Sequence, residues 1–258
     1  AGWPDETNRR IESFLNSTLA MKERKVAVFD CDGTLIGQVP HYLSEESMYD
    51  FAVANYKDRQ DKLSKEKWKI CEELAAGDNV AVSYTQRCID FFAGLTPDEL
   101  SNAGWVCYQN KFAGKFYPEM KELLANLEEY GFEIWIVTAS TELLYQRFVH
   151  EQLGIPVCTA AHPLSGAERS LSNTFGGTYP VEIVAHTLRL FGQGTKVCVE
   201  ASAIAADAGV IVPGRQIIAV GGTGNGADTA LVLRPAHTNR LLKARLDFFV
   251  CKPLRPLD

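Results

Sequence analysis

Short apolar runs alternate with amphipathic segments along most of the chain. Three runs rich in β-branched residues have the length and composition of buried parallel strands: VAVFD (26–30), FEIWIVT (132–138) and QIIAV (216–220). A shorter run, ALVL (230–233), is predicted to form a further strand. Segments with helical periodicity separate these runs, and strand–helix–strand units of this kind imply right-handed crossovers. The pattern therefore predicts an α/β fold with a doubly wound, mainly parallel sheet.

A helical segment is inserted after the first predicted strand. Residues 40–114 contain no strand-like run, and their apolar and aromatic residues recur at helical spacing. Within this segment, Thr96-Pro97-Asp98-Glu99 has the pattern of a capping box with Pro at the first helical position. We divide the chain into four parts: an N-terminal helix with the first core strand (1–39), a helical cap (40–114), a second part of the core (115–155) and an α/β half that completes the core (156–258).

Composition and charge exclude several classes of protein. The 258 residues contain 26 Lys+Arg against 32 Asp+Glu, a net charge of -6, so a basic face for nucleic acid is not expected. The sequence has no apolar run long enough to span a membrane. The seven cysteines are scattered without a C-x-x-C pair, which favours reduced core thiols over a zinc or redox site. This favours a cytoplasmic protein, but the start without Met leaves a secreted or periplasmic origin of the front half open.

The first predicted strand ends in two carboxylates, Asp30 and Asp32, which are separated by one residue. Ligands of open α/β sheets bind at the carboxyl ends of the strands. Asp30 can attack phosphorus as a nucleophile, while Asp32 can protonate the leaving oxygen and then activate water. Two carboxylates this close repel each other unless a hard cation such as Mg²⁺ neutralises them. The apolar strand favours this interpretation over a solvated turn that carries two incidental acids.

Residues 26–155 resemble the haloacid dehalogenase (HAD) superfamily, whose first motif is an apolar strand followed by D-x-D-G-T. The helical insert is similar to the cap of its phosphoserine-phosphatase-like branch. The resemblance implies a Rossmann-like core, an aspartyl-phosphate on Asp30, acid–base chemistry by Asp32 and Mg²⁺ as cofactor. The second family motif, a strand that ends in Thr or Ser, implies that Thr138, or less favourably Ser140, holds the phosphoryl oxygen. The residues predicted to bind substrate are Gly33, Thr34, Ser140, Gly222 and Gly224.

The family pattern changes in the last third of the chain. A HAD phosphatase is expected to have a Lys that balances the phosphate charge, followed by a strand that ends in G-D-x-x-x-D. The strand here continues as IIAVGGTGNGAD, with Gly222 at the position of the first acid and Asp228 several residues later. Lys196 is the candidate for the Lys. Asp228 is either a metal ligand, together with Asp30 and Asp32, or a helix N-cap, which is slightly favoured.

Residues 157–252 resemble the later half of a different, archaeal family, which is similar to the α/β C-terminal domain of pyruvate kinase. The resemblance rests on AAHPLSGAERS, TFGGTYPVEIVAHTLRLFGQG, VEASAIAADAG and AVGGTGNGADTALVLRPAH. We therefore interpret the chain as a chimera of two α/β half-folds, natural or engineered, joined near 155–158. The Gly-rich loop at 221–228 either presents backbone N–H groups to a phosphate or is a tight turn that requires glycine.

These observations support three hypotheses about function. The first is a Mg²⁺-dependent phosphomonoester hydrolase that acts on a small phosphorylated metabolite. The second is a chimeric scaffold with weak or lost catalysis, and the third is a phosphate- or nucleotide-binding module that uses the Gly-rich loop. Gly222 distinguishes the first two, because an intact phosphatase of this type should carry a carboxylate there or close by. The identity of the substrate and the oligomeric state do not follow from the sequence.

Overall fold

The structure is a computed structural model and describes residues 3–76, 81–161, 163–164, 171–172 and 174–253. Much of the AAHPLSGAERS segment, on which part of the second resemblance rests, lies outside these residues. The described helices are α1 (Asp5–Ser17), α2 (Leu43–Asn55), α3 (Lys62–Ala75), α4 (Ala81–Phe92), α5 (Pro97–Cys107), α6 (Pro118–Glu129), α7 (Glu142–Leu153), α8 (Pro180–Arg189) and α9 (Gln193–Asp207). A π-helical turn covers Tyr108–Phe112, and a 3-10 segment covers Thr238–Lys243.

The centre of the fold is a six-stranded sheet with the order β3-β2-β1-β4-β5-β6. Its strands are β1 (Lys25–Asp30), β2 (Phe132–Thr138), β3 (Val157–Thr159), β4 (Ile217–Gly222), β5 (Ala227–Arg234) and β6 (Arg245–Cys251). The first four strands are parallel, whereas β5 and β6 pair antiparallel at one side of the sheet. The predicted α/β fold with a mainly parallel sheet is therefore confirmed, and strands from both of the proposed half-folds belong to one sheet.

Two apolar layers enclose the sheet. On one face, α6, α7 and the helices after β1 form a cluster around Phe29 and Ile136. On the other face, α9 packs across β1, β4 and β5, with Cys198 and Ala205 fully buried against the strands. Alternate residues of β1 enter the two layers, as expected for a strand that is buried on both sides. No helix in the described part of the chain is both long and apolar enough to cross a membrane.

The insert between β1 and β2 is helical where the structure describes it. α2 and α5 pack on α7, which anchors the insert to the core. The approach of α5 to α7 requires Gly104, because a Cβ there would lie 2.1 Å from the backbone oxygen of Leu144. The capping box predicted at the start of α5 is confirmed, since the Thr96 N–H donates to Glu99 Oε2 at 2.7 Å and the Glu99 N–H donates to Thr96 Oγ1 at 3.3 Å. The domain boundaries remain a prediction.

Candidate active site

Asp30 is the last residue of β1 and lies at the carboxyl edge of the sheet. The chain then makes a tight turn in which the Leu35 N–H donates to the Cys31 carbonyl at 2.9 Å. Gly33 has a φ of +72°, which a residue with a Cβ rarely adopts. The turn returns the buried Thr34 to the strand end, where its hydroxyl donates to Asp30 Oδ2 at 2.7 Å. Thr34, predicted to bind substrate, therefore orients the Asp30 carboxylate.

Asp32 follows Asp30 on the same turn and is held by two hydroxyl groups. The Tyr145 hydroxyl donates to Oδ1 at 2.9 Å, and Ser140 Oγ donates to Oδ2 at 3.3 Å. Burial, followed by the charge of Asp30, raises the pKa of Asp32 to about 7, although both hydrogen bonds act in the opposite direction. Both protonation states of Asp32 are therefore accessible near neutral pH, which is the property required of a general acid–base group.

Tyr145 was not predicted from the sequence to take part in the site. It lies on α7 with its side chain fully buried, and burial raises the pKa of its hydroxyl well above the usual value. The hydroxyl therefore remains a donor to Asp32, and it also accepts the backbone N–H of Ser44 at 3.3 Å. Since Ser44 belongs to the first turn of α2, Tyr145 links the helical insert to the carboxyl edge. In the sequence, Tyr145 is one more aromatic residue in the apolar stripe of α7.

The start of α2 contributes acidic residues beside this edge. The charge of Glu45 adds to the rise in the pKa of Asp32. Burial, then the charge of Asp32, raises the pKa of Tyr42. The next acid, Glu46, is buried, and it accepts Lys111 Nζ at 2.8 Å and pairs with His41 Nδ1 at 2.7 Å. Glu46 therefore stabilises the insert, whereas the charge of Glu45 acts on Asp32.

Thr138 and Ser140 follow β2 at the same edge. Thr138 is buried, and its Oγ1 accepts the backbone N–H of Ser140 at 3.0 Å, which leaves the hydroxyl proton of Thr138 available as a donor. Ser140 uses its own hydroxyl for Asp32. The structure thus brings both second-motif candidates to the edge that carries Asp30. The parallel register of β1 with β2 explains this, because Asp30 pairs with Val137, one residue before Thr138.

The Gly-rich loop forms the turn of a β-hairpin between β4 and β5 and packs on the Asp30–Thr34 turn. The Gly226 N–H donates to the Gly33 carbonyl at 2.9 Å, and a Cβ on Gly33 would lie 2.5 Å from Gly224 Cα. A Cβ on Gly222 would lie 2.1 Å from the Gly226 oxygen. The tight-turn interpretation is therefore correct. Substrate contacts by Gly222 and Gly224 remain a prediction.

We expect Gly222→Ala to destabilise the protein by roughly 1–3 kcal/mol, because the added methyl group forces the hairpin turn away from Gly226. Urea unfolding measures this as a lower midpoint. Gly114→Ala is the matched control, since nothing lies within 4 Å of a Cβ there and its φ is not in the left-handed region. Equal midpoints for the two variants would show that the turn accommodates the methyl group without loss of stability.

Lys196 lies at the start of a helix, whereas Asp228 lies in a strand and not at a helix N-terminus. Lys196 lies in the first turn of α9, is largely buried and forms an ion pair with Glu200 one turn later. Glu200 also accepts the Leu164 N–H at 3.3 Å. Asp228 lies inside β5, so its interpretation as a helix N-cap is wrong, and its Oδ1 accepts the Thr229 hydroxyl at 2.6 Å.

The predicted metal ligands do not come together as a side-chain cage. Among the residues that the structure describes, no three His, Cys, Asp or Glu side chains form a group that could hold a metal ion. Asp30 and Asp32 are neighbours through the turn, but Asp228 does not complete a set of three with them. Gly222, at the position where the family pattern has an acid, has no space for a side chain. A metal ion at this site would therefore be coordinated by fewer carboxylates than the sequence predicted.

Comparison with known proteins identifies the family. A solved structure of a protein of unknown function from Bordetella pertussis Tohama I has 15% sequence identity and a TM-score of 0.41, covering 55% of this chain and 62% of that one. The chain thus spans less than two thirds of that protein. The family model of the haloacid dehalogenase-like hydrolases matches residues 27–196, from β1 to the candidate Lys and past the predicted join at 155–158. Because this match includes Asp30, Asp32, Thr138 and Lys196 and covers more than half of the sequence, the chain belongs to the haloacid dehalogenase-like hydrolase family.

Proposed function

We propose that this protein hydrolyses phosphomonoesters of small metabolites through an aspartyl-phosphate intermediate on Asp30. The observation that carries the proposal is the carboxyl pair at the end of β1. Asp30 is oriented by Thr34, and Asp32 beside it has a pKa of about 7. A carboxylate nucleophile next to a carboxyl group that exchanges its proton near neutral pH suits a two-step hydrolysis.

In the first step, an oxygen of the Asp30 carboxylate attacks phosphorus and the bond from phosphorus to the ester oxygen breaks. Asp32 donates its proton to that leaving oxygen, so that an alcohol departs. In the second step, the ionised Asp32 removes a proton from water, which attacks phosphorus and releases inorganic phosphate. Asp30 is thereby regenerated as a carboxylate and Asp32 as an acid. Both steps use the same proton site on Asp32, which Tyr145 and Ser140 hold in place.

The phosphoryl oxygens require donors and positive charge. Thr138 supplies a hydroxyl proton that its bond from Ser140 leaves available. Lys196 is the candidate cation, and its ion pair with Glu200 restrains the ammonium within α9. Gly33, Gly222 and Gly224 remain candidates for backbone contacts to the substrate.

The donor set fits a weakly held Mg²⁺. Mg²⁺ is commonly bound by one or two carboxylates, with water and substrate phosphate completing its six ligands. The Asp30 carboxylate and the Asp32 backbone carbonyl would hold it here, with Asp228 as a further candidate. When bound, Mg²⁺ neutralises negative charge on the phosphate oxygens. Because described residues supply no side-chain cage, we expect weak binding of the metal in the absence of substrate.

The proposal is tested by hydrolysis of 4-nitrophenyl phosphate with Mg²⁺ and with excess EDTA. We expect release of 4-nitrophenol that depends on Mg²⁺. A protein quenched in acid during turnover with the ³²P-labelled ester should carry label that neutral hydroxylamine removes, as expected for an acyl phosphate. Turnover without such label would contradict the covalent route.

A scaffold with weak or lost catalysis is the second candidate. Two observations favour it: Gly222 excludes an acid at its position, and Lys196 is already paired with Glu200. A folded protein that neither hydrolyses a panel of phosphomonoesters nor acquires label would support this candidate. The third hypothesis, nucleotide binding by the Gly-rich loop, loses support because the loop joins two antiparallel strands and does not open a helix.

We expect Tyr145→Phe to move the pH dependence of kcat to higher pH. The Tyr145 hydrogen bond lowers the pKa of Asp32, so its loss makes Asp32 harder to ionise. The alkaline limb of the kcat profile, which reports loss of the protonated form of Asp32, therefore shifts to higher pH. Tyr108→Phe is the control, because Tyr108 is buried and stacks on Phe148 and Trp105, and within the described residues its hydroxyl makes no hydrogen bond. If Tyr145→Phe lowered kcat equally at every pH, Tyr145 would have a structural role alone.

A further inference from the structure

A cavity of about 370 Å³ lies between α1, α6 and the sheet. Its walls are apolar side chains from five elements: Ile11, Leu123, Leu127, Val220, Ala230 and Val250. Close-packed interiors rarely leave voids larger than a water molecule, whereas this volume falls in the range of small-molecule sites. Asp30, Asp32 and Thr138 do not line it. The cavity is therefore a separate candidate binding site.

One end of the cavity carries a carboxylate without a cationic partner. Asp228 lines this end, and its Oδ1 accepts the hydroxyl of the buried Thr229 at 2.6 Å. Asp228 Oδ2 makes no hydrogen bond, and Asp228 forms no ion pair, within the part of the chain that the structure describes. A carboxylate at an apolar wall is stabilised by a cationic hydrogen-bond donor.

The basic residue on the cavity rim is engaged elsewhere. Lys252 Nζ lies 5.6 Å from the centre of the Phe249 ring and donates to the Phe191 carbonyl at 3.5 Å. The other charged residue that the described part of the lining contributes is Glu6, an exposed acid on α1 that forms an ion pair with Arg10 at 2.5 Å. Among the described residues, Asp228 is therefore the charged side chain of the lining that has no ion pair or ring contact, which favours a cationic group over a phosphorylated or carboxylated ligand.

We propose that this cavity binds a small cationic amphiphile, with its apolar body against the sheet and its ammonium group on Asp228 Oδ2. An aromatic or branched alkyl body suits walls made of Ile, Leu and Val. The proposal assigns Asp228 to this ligand in place of its candidate role as a metal ligand, and it does not depend on phosphatase activity, because neither Asp30 nor Asp32 takes part. It also accounts for the position of Asp228, which the sequence pattern could not place.

Three ligands with the same indole body and different side chains test the proposal: tryptamine, 3-ethylindole and indole-3-propionate. Titration calorimetry on the full chain should show saturable tryptamine binding, at least about ten-fold tighter than indole-3-propionate, with 3-ethylindole between them. Asp228→Asn should remove most of this preference while the neutral ligand still binds. Asp30→Asn should leave all three affinities unchanged. Equal affinities for the three ligands, or no saturable binding, would overturn the proposal.

Filling the cavity from opposite walls locates the binding. Ala230→Phe adds volume from the sheet, and Ile11→Trp adds it from α1, so one variant can serve if the other does not fold. Each variant that keeps the circular dichroism spectrum and cooperative melting of the parent should lose binding of all three ligands by at least about ten-fold. Tryptamine affinity that persists in a folded variant would place the ligand elsewhere and overturn the assignment.

Discussion

Asp30→Asn is expected to abolish phosphomonoester hydrolysis, with a loss in kcat of at least about 10³-fold. The amide has the shape of the carboxylate and can still accept the Thr34 hydroxyl, so the turn should remain folded. It cannot form the acyl phosphate, since an amide oxygen is a poor nucleophile and its adduct does not turn over. Steady-state release of 4-nitrophenol and the hydroxylamine-labile ³²P label should disappear together.

Asp98→Asn provides the matched control for this change. Asp98 is an exposed acid in the first turn of α5, and neutralising it removes the same formal charge from the protein. We expect kcat within two-fold of the parent, because exposed surface substitutions rarely change stability by more than about 0.5 kcal/mol. If Asp30→Asn retained more than about a tenth of the parental kcat, another group would have to be the nucleophile.

Asp32→Asn is expected to lower kcat by about 10²- to 10⁴-fold at neutral pH, the usual contribution of a general acid–base group. The alkaline limb near pH 7 should vanish with the group that titrates there. The rate of the first step should fall more for substrates with poor leaving groups. 4-Nitrophenolate departs without a proton, whereas an alkoxide must be protonated to leave. Rates for an alkyl phosphate and for 4-nitrophenyl phosphate measure this difference. A retained alkaline limb would assign the titration to another residue.

The same substitution should stabilise the folded protein at high pH. Folding raises the pKa of Asp32 from 3.8 to about 7, so the folded state binds a proton that the unfolded state has released. The favourable contribution of Asp32 is complete below pH 3.8 and is lost as pH rises through about 7. The difference in free energy of unfolding between Asp32→Asn and the parent should therefore change in favour of the variant from pH 5 to pH 8, by the order of a few kcal/mol.

Urea unfolding of parent and variant at the two pH values measures this gain. Glu99→Gln is an informative contrast, because backbone and side-chain hydrogen bonds from Thr96 lower the pKa of Glu99 in its capping box. Its carboxylate stabilises the folded state above the unfolded pKa, so the loss on substitution should shrink as pH falls. A difference between parent and Asp32→Asn that is the same at pH 5 and pH 8 would show that Asp32 is not buried beside Asp30 as described.

Local sequence determined the strand that ends in Asp30 and much of its surroundings. The runs at 26–30 and 132–138 are mostly apolar and rich in β-branched residues, the pattern of strands that are buried on both faces, so β1, β2 and their terminal Asp30 and Thr138 follow directly. The start of α5 follows from the Thr96–Glu99 pattern, because the hydrogen bonds of a capping box form between residues three apart. Interactions of this range need no information about the rest of the chain.

Pairing and packing over longer distances required the tertiary structure. The run at 230–233 predicts a strand but not its direction, and only the hairpin through Gly222–Gly226 makes β5 antiparallel and keeps Asp228 in a strand. Two strands escaped prediction: β3 is three residues long, and β6 has an exposed first half.

The proton-exchanging properties of the site also arise from distant residues. Tyr145 reaches Asp32 across 113 positions of sequence, and the docking of α7 decides which of its residues does so. The pKa of Asp32 depends first on burial, which the motif does not contain, and then on the charge of Asp30, whose effect depends on the distance that the fold sets. The sequence by itself therefore determined which groups are the candidates for the chemistry. The tertiary structure decided their protonation and orientation, because electrostatic energy depends on distances and solvent exclusion that only the folded chain establishes.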